Sequence, residues 1–270
     1  MNGYQKSEMI RPIYTPETCK AAYQLRWSLA LLFATEEIPS ELNWIEPLRE
    51  QVQRDGVRLL EHRLHPPNIW FFLLSTKPTV APPQIVKSVK ARLQHLVRAS
   101  APKAFRRNFS LASVGDARRH VVESYVASQI SHHRMADTRV QSRLKEFQLV
   151  FPDVDLSAAE FSSHGRYVYS LHLVLVHQGR WREIREDRLA ITRDTFLRAA
   201  RKKRHRVSRL ALLPDHVHAT IGCNFGETPE EVALGYLNNL AYGRGMKPLF
   251  CSGYYVGTFG DYDIGAIRRA

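Results

Sequence analysis

Two histidines one residue apart, in Leu212-Leu213-Pro214-Asp215-His216-Val217-His218, are the residues of this chain best suited to chemistry. The run Ala219-Thr220-Ile221 that follows reads as a strand. Alternate residues of a strand share a face, so His216 and His218 are neighbours while Val217 turns the other way. Two imidazoles on one face of a buried strand can hold a divalent metal or position a phosphate. A chance His pair on a half-exposed strand has the same spacing, so spacing alone leaves both readings open.

A chain of 270 residues can form one large domain or two of about 130 residues, each with its own core. Apolar content of 44% is that of a globular protein. The apolar runs at Leu29 to Phe33 and Leu171 to Val176 fall far short of the ~20 residues of a membrane-spanning helix. Met1 to Arg11 is polar and lacks the apolar core of a secretory signal. Three cysteines, Cys19, Cys223 and Cys251, with no CxxC pair, fit reduced thiols in a cytoplasmic protein. The net charge of +13 points to a polyanionic partner, most commonly nucleic acid. The charge is clustered at Arg198, Arg201, Lys202, Lys203, Arg204, Arg206 and Arg209, and again at Lys87, Lys90, Arg92, Arg98, Lys103, Arg106 and Arg107.

The elements that must position the histidines occur twice. Tyr23 to Phe33 reads as a strand, Ser40 to Asp55 as a capped helix, and Val57 to Leu64 and Asn68 to Ser75 as two strands across Pro66-Pro67. Pro82-Pro83 opens a helix to about Ala99, and Phe105 to Val114 is a strand ended by Gly115. A helical pattern starts at Asp116. In the second half, Tyr167 to His177, Glu183 to Lys203, Val207 to Leu213, His216 to Cys223, Thr228 to Tyr242 and Gly253 to Phe259 repeat the order β-α-β-β-α-β. This gives a first half at 1–134, a connecting helix and polar loop at 135–165, and a second half at 166–270. By eye, Leu64-His65-Pro66-Pro67-Asn68-Ile69-Trp70 lies over Leu212 to His218, and Ser113-Val114-Gly115 over Thr258-Phe259-Gly260. An internal duplication follows, with His172 on the first strand in register with Trp27.

The second half resembles the single-tyrosine HUH transposases, which move small insertion sequences as single-stranded DNA, and their REP-associated relatives. Leu213-Pro214-Asp215-His216-Val217-His218, Ser170-Leu171-His172-Leu173-Val174 and Ser252-Gly253-Tyr254-Tyr255-Val256-Gly257-Thr258-Phe259-Gly260 carry the resemblance. It covers roughly 166–270 and, more loosely, 20–134. In that family a glycine after the last strand leads into a helix, and the nucleophilic tyrosine stands ten residues on. A glutamine four residues further supplies a metal ligand.

Here the pattern is divided between the halves. Ten residues after Gly260 stands Ala270, so the second half has the histidines and no tyrosine. Ten residues after Gly115 stands Tyr125, followed four on by Gln129, while the first half's histidine positions hold Asn68 and Trp70. The resemblance therefore implies an α+β fold of two tandem ferredoxin-like βαββαβ units, a fused pseudo-dimer with antiparallel sheets. Its one composite site would combine Tyr125 as nucleophile with His216, His218 and Gln129 as ligands of Mg²⁺ or Mn²⁺, and with Asp215 and His172 behind them. Asn68, Trp70 and Ala270 would mark a degenerate second site.

The implied activity is metal-dependent endonuclease and strand transfer on single-stranded DNA, through a 5′-phosphotyrosine link. The implied partner is a single strand with a hairpin, gripped by Lys87, Lys90, Arg92, Arg106, Arg107, Arg201, Lys202, Lys203, Arg204 and Arg206. The protein would act away from membranes, as a monomeric pseudo-dimer or a dimer of pseudo-dimers. A catalytically inactive protein binding hairpin DNA or RNA is the competing class. A metal phosphoesterase that uses water and needs no Tyr125 is a third.

Overall fold

The computed structural model describes residues 11–34, 40–65, 68–133, 135–245 and 248–261. The first half supplies β1 (Lys20–Gln24), β2 (Arg26–Phe33), α1 (Ile45–Arg54), β3 (Val57–His65), β4 (Ile69–Thr76), α2 (Pro82–Val97) and β5 (Phe105–Val114). Next come α3 (Arg119–Ala127), α4 (Gln129–His132), α5 (Thr138–Lys145), β6 (Gln148–Val150) and β7 (Glu160–Phe161). The second half adds β8 (Gly165–Val168), β9 (Ser170–Val176), α6 (Glu186–Lys203), β10 (Arg206–Leu212), β11 (His216–Gly222), α7 (Pro229–Arg244) and β12 (Gly253–Thr258).

Two sheets result, with strand orders β3-β4-β2-β5-β8-β7 and β1-β12-β9-β11-β10-β6. In each, the four strands of one βαββαβ unit are antiparallel neighbours in the order fourth, first, third, second. The fold is therefore α+β, with two tandem ferredoxin-like units. Trp27, Leu29, Leu31 and Phe33 alternate along β2 and are wholly buried, as are Leu171, Leu173 and Leu175 along β9. These rows carry the helix-covered faces, and one apolar cluster runs through both halves. Helix ends follow the local chemistry. The Thr228 side chain accepts from the Glu231 N–H, Pro229 opens α7, and Gly245 closes it in the left-handed conformation.

The expected first strands each break in two. Residues Tyr23 to Phe33 part at buried Leu25, and β1 leaves to pair in parallel with β12 of the second half. Residues Tyr167 to His177 part at buried Tyr169, and β8 pairs in parallel with β5 of the first half. The divisions at 134 and 166 are thus crossed by one strand in each direction. Where the two halves cross again, a Cβ on Gly115 would lie 2.7 Å from the Thr258 carbonyl oxygen, and one on Gly260 would strike that of Ser113. The glycines mark a reciprocal close approach of backbones, which only a residue without a side chain permits. The connecting segment is also more ordered than a polar loop: β6 extends one sheet beside β10, and β7 the other beside β8.

The register corrects two pairings read from sequence. Ser113 and Thr258 are each two residues before a crossing glycine, and they pair with Trp27 and Leu171 respectively. Leu171 is therefore the counterpart of Trp27, and His172 that of Ser28. Along the same strands, Leu31 pairs with Trp70 and Leu175 with Val217. Trp70 thus matches Val217 on the helix-covered face. It is 3% exposed, with its ring 5.1 Å from that of Trp44. The counterparts of His216 and His218 are Ile69 and Phe71, so Asn68 and Trp70 are not the degenerate histidine positions. The cause is one extra residue in the turn. Leu64 pairs with Trp70 across five intervening residues, whereas Leu212 pairs with Val217 across four. A slip of one residue turns every side chain of a strand to the other face. Ala270 lies outside the described residues.

Candidate active site

Strand β11 is buried along its whole length between β9 and β10. Val217, Ala219 and Ile221 face α6 and α7, which leaves His216, His218 and Thr220 on the opposite face. The helix that follows β5 of the first half, α3, lies on that opposite face, against β10, β11 and β6. The Tyr125 ring centroid is 5.7 Å from His218 and 6.2 Å from His172, edge-on to both. Tyr125 remains 46% exposed.

Gln129 begins α4 and is fully buried. Its Nε2 donates to the Tyr125 carbonyl at 3.0 Å, and its Oε1 has no hydrogen-bond partner. The turn is pinned from two sides. The Ile130 N–H donates to Gln148 Oε1 of β6 at 2.9 Å, and Gln141 Nε2 of α5 donates to the Ile130 carbonyl at 2.5 Å. Gln148 pairs with Ala211, which pairs with His218, so this clamp sits in the same row as the imidazole.

Each histidine of the pair has one ring nitrogen committed. His216 Nδ1 meets Asp215 Oδ1 at 2.6 Å, and His218 Nδ1 meets His172 Nε2 at 3.0 Å. The Nε2 atoms of both have no hydrogen-bond partner among the described residues. Burial pushes the His172 imidazole down to about 4. Burial, helped by the neighbouring rings, pushes His218 down to about 2. Burial also lowers His216, against the opposing pull of Asp215. At neutral pH all three rings are uncharged. Asp215 is lowered because His216 and Arg180 outweigh its burial, and Arg180 holds its other oxygen at 3.1 Å. The turn behind it is fixed by the Glu183 N–H, which donates to the Pro214 carbonyl at 2.7 Å.

Sequence reasoning missed three participants here: Gln141 and Gln148 hold the α4 turn, and Glu123 joins α3 to the sheet, each through partners remote in sequence. His133, one helical step after Gln129, can be read from sequence either as reaching the site or as an exposed helix end; its ring stands 5.3 Å from that of His216. Among the described residues no three His, Cys, Asp or Glu side chains form a metal-ligating group. The uncharged donors in this region are the imidazole nitrogens of His216 and His218 on β11 and, on α4, the orphaned amide oxygen of Gln129.

The basic residues divide by availability. Lys87, Arg106, Arg107, Arg201, Lys202 and Arg204 are exposed, and none has an ion pair among the described residues. Four others are engaged within the fold. Lys90 Nζ donates to the Arg106 and Arg107 carbonyls at 2.5 and 2.8 Å, and Arg92 forks onto Asp55. Lys203 pairs with Glu227, and Arg206 with Glu160, both at 2.8 Å. No described helix is long and apolar enough to cross a membrane.

No family model matches the chain, and no curated protein matches it. Among solved structures it is similar to a "putative transposase" from Deinococcus radiodurans R1, at 16% identity and a TM-score of 0.31. That alignment covers 40% of this chain and 92% of the other. A REP-associated tyrosine transposase bound to a REP hairpin aligns at 11% identity and a TM-score of 0.31, over 42% of this chain and 67% of its own. Likenesses of this depth do not bear on activity.

Proposed function

We propose that this chain is a metal-dependent single-stranded DNA endonuclease and strand transferase acting in transposition, with one active site assembled from both halves of an internally duplicated pseudo-dimer. The observation that carries the reading is Tyr125, delivered by the first half onto the second half's sheet with its ring 5.7 Å from that of His218. A lone core tyrosine would not stand half-exposed beside a buried, uncharged histidine pair.

In the proposed reaction the Tyr125 oxygen attacks phosphorus, the P–O3′ bond breaks, and the strand ends as a 3′-hydroxyl and a 5′-phosphotyrosine. The phenol proton is lost and the 3′-oxygen gains one. The reverse attack by a 3′-hydroxyl reseals a strand without an external energy source. His216, His218 and Gln129 would hold Mg²⁺ or Mn²⁺, which when bound polarises a nonbridging phosphate oxygen. Asp215 and His172 each occupy the Nδ1 of one histidine, and so aim its Nε2 lone pair outward. The exposed cations Lys87, Arg106, Arg107, Arg201, Lys202 and Arg204 would track the phosphates of the strand and its hairpin.

The test is incubation of the full chain with labelled single-stranded hairpin DNA from the flanks of its own gene, with Mn²⁺ or with EDTA. A denaturing gel and peptide mass spectrometry read the product. The expected result is a metal-dependent adduct on Tyr125, lost in Tyr125→Phe and in His216→Ala. Tight hairpin binding with no adduct on that substrate would instead assign the chain as a non-catalytic binding protein. Cleavage that survives Tyr125→Phe would assign it as a phosphoesterase using water.

A further inference from the structure

The seam between the tyrosine helix and the second half's sheet is held by a buried carboxylate. Glu123 is 7% exposed, and its Oε1 accepts from Ser208 Oγ at 2.7 Å. Ser208 Oγ in turn lies 2.8 Å from Thr220 Oγ1. Arg119 and Arg209 each come within 3.9 Å of the other carboxylate oxygen. Thr220 shares its face of β11 with His218, two residues away. The bonded series therefore starts two residues before Tyr125 and ends two residues beyond the histidine pair.

Apart from the Arg119–Asp155 ion pair at 3.0 Å at its start and the pinned α4 turn at its end, α3 has no other polar tie to the sheet among the described residues. The stripe buried by α3 and α4 is Glu123, Val126, Gln129 and Ile130, half of it polar, while Val121 and Tyr125 are nearly half-exposed. Two aliphatic side chains give attraction without direction, and a short helix held only by them can rotate or slide. A carboxylate seated on a hydroxyl has one register, although burying it gives less stability than an apolar residue of similar volume would. We propose that Glu123 is a positioning residue that sets the register of the Tyr125 helix against the strand of His216 and His218. The kinetic consequence rests on Tyr125 being the nucleophile; the positional one does not.

The test uses the full chain with Glu123→Leu, Glu123→Gln and Ser208→Ala. Hydrogen–deuterium exchange over 119–130 in the DNA-free protein reads the docking. Adduct rate at saturating DNA, DNA Kd and Tm read the rest. In Glu123→Leu, Kd stays within about twofold and Tm within a few degrees of wild type, exchange over 119–130 rises, and the adduct rate falls about 10-fold or more. Glu123→Gln keeps an acceptor oxygen and recovers part of both. Exchange and rate unchanged in Glu123→Leu would overturn the proposal. So would a rate loss that follows Tm alone across the three variants. If Glu123→Leu does not fold, Glu123→Gln and Ser208→Ala carry the same comparison. A wild-type chain that forms no adduct sinks the nucleophile reading, and the exchange measurement then decides the role of Glu123 by itself.

Discussion

Replacing His172 tests whether the buried imidazole pair is arranged for ligation. His172 Nε2 and His218 Nδ1 are 3.0 Å apart, and burial keeps both rings uncharged at neutral pH, His172 titrating at about 4 and His218 at about 2. Two neutral rings at that distance share one proton. If His218 is to present the Nε2 lone pair to a metal, its Nδ1 must carry that proton, and His172 must accept it. His172→Leu leaves a donor buried and unpaired on a residue only 6% exposed. The missing bond and the stranded donor together cost ~1–3 kcal/mol, or about 5- to 150-fold in an equilibrium constant. Loss of an outer partner of a ligating histidine generally weakens metal binding about 10- to 100-fold. Mn²⁺ is titrated calorimetrically and, separately, by the Mn²⁺ dependence of adduct formation. Half-saturation is expected to rise about 10- to 100-fold in His172→Leu, with the rate at saturating Mn²⁺ changed only a few-fold. His172→Gln, which offers an acceptor oxygen, should fall much closer to wild type. Half-saturation within twofold of wild type in a folded His172→Leu protein would refute the tautomer argument.

Trp70 fills the first half's core against Trp44 and Phe72, so Trp70→Ala should destabilise by ~3–5 kcal/mol in chemical denaturation, without a direct effect on adduct chemistry. Gly115→Ala drives a Cβ onto the Thr258 carbonyl and should cost ~1–3 kcal/mol, read as a lowered Tm. Burial raises the Glu227 carboxyl, but bonds from His205, Lys203 and Asn224 outweigh it and take it down to about 2. A depressed carboxylate stabilises the fold above its unfolded value near 4.5, and that stability disappears as pH falls towards 2. Glu227→Gln should therefore narrow the gap in Tm between pH 6 and pH 3 relative to wild type. Removing the exposed cations Arg201, Lys202 and Arg204 should weaken DNA binding for all sequences alike. It should also flatten the salt dependence by ~0.7 in log–log slope for each phosphate no longer neutralised, whereas Lys90→Ala should act mainly through stability.

The two ferredoxin-like units were legible because their strands are written in alternating apolar residues with glycine and proline at the ends. The reciprocal exchange of β1 and β8 was not. Tyr23 to Phe33 and Tyr167 to His177 alternate without interruption, and nothing local in Leu25 or Tyr169 shows that the chain there passes from one sheet to the other. Only pairing with β12 and with β5, more than 200 residues and about 55 residues away, reveals it. Tyr125, Gln129, His216 and His218 could be named from spacing and resemblance. Glu123, Gln141 and Gln148 could not, because their meaning lies in partners brought together by the fold. A buried glutamate on an amphipathic helix looks in sequence like any solvated acid.

The turn before the histidine strand shows how small a change separates the two halves. With four residues between Leu212 and Val217, the polar residues His216 and His218 fall on the face that α3 covers. In the first half an extra residue sits in the same turn, and the apolar phase resumes with Trp70 inward and Ile69 and Phe71 on the opposite face. Shortening the first half's turn by one residue would drive Trp70 out of the core and separate its ring from that of Trp44. The first half thus keeps its packing only by presenting Ile69 and Phe71 where the second half presents imidazoles. An apolar pair cannot ligate, so nothing on that face calls for a tyrosine beside it. On the proposed reading, the tyrosine helix of the first half finds its chemical complement across the molecule instead, at the two uncharged imidazoles of β11. On that same reading the complementarity, more than the repeat of the fold, ties the two halves into one functional unit.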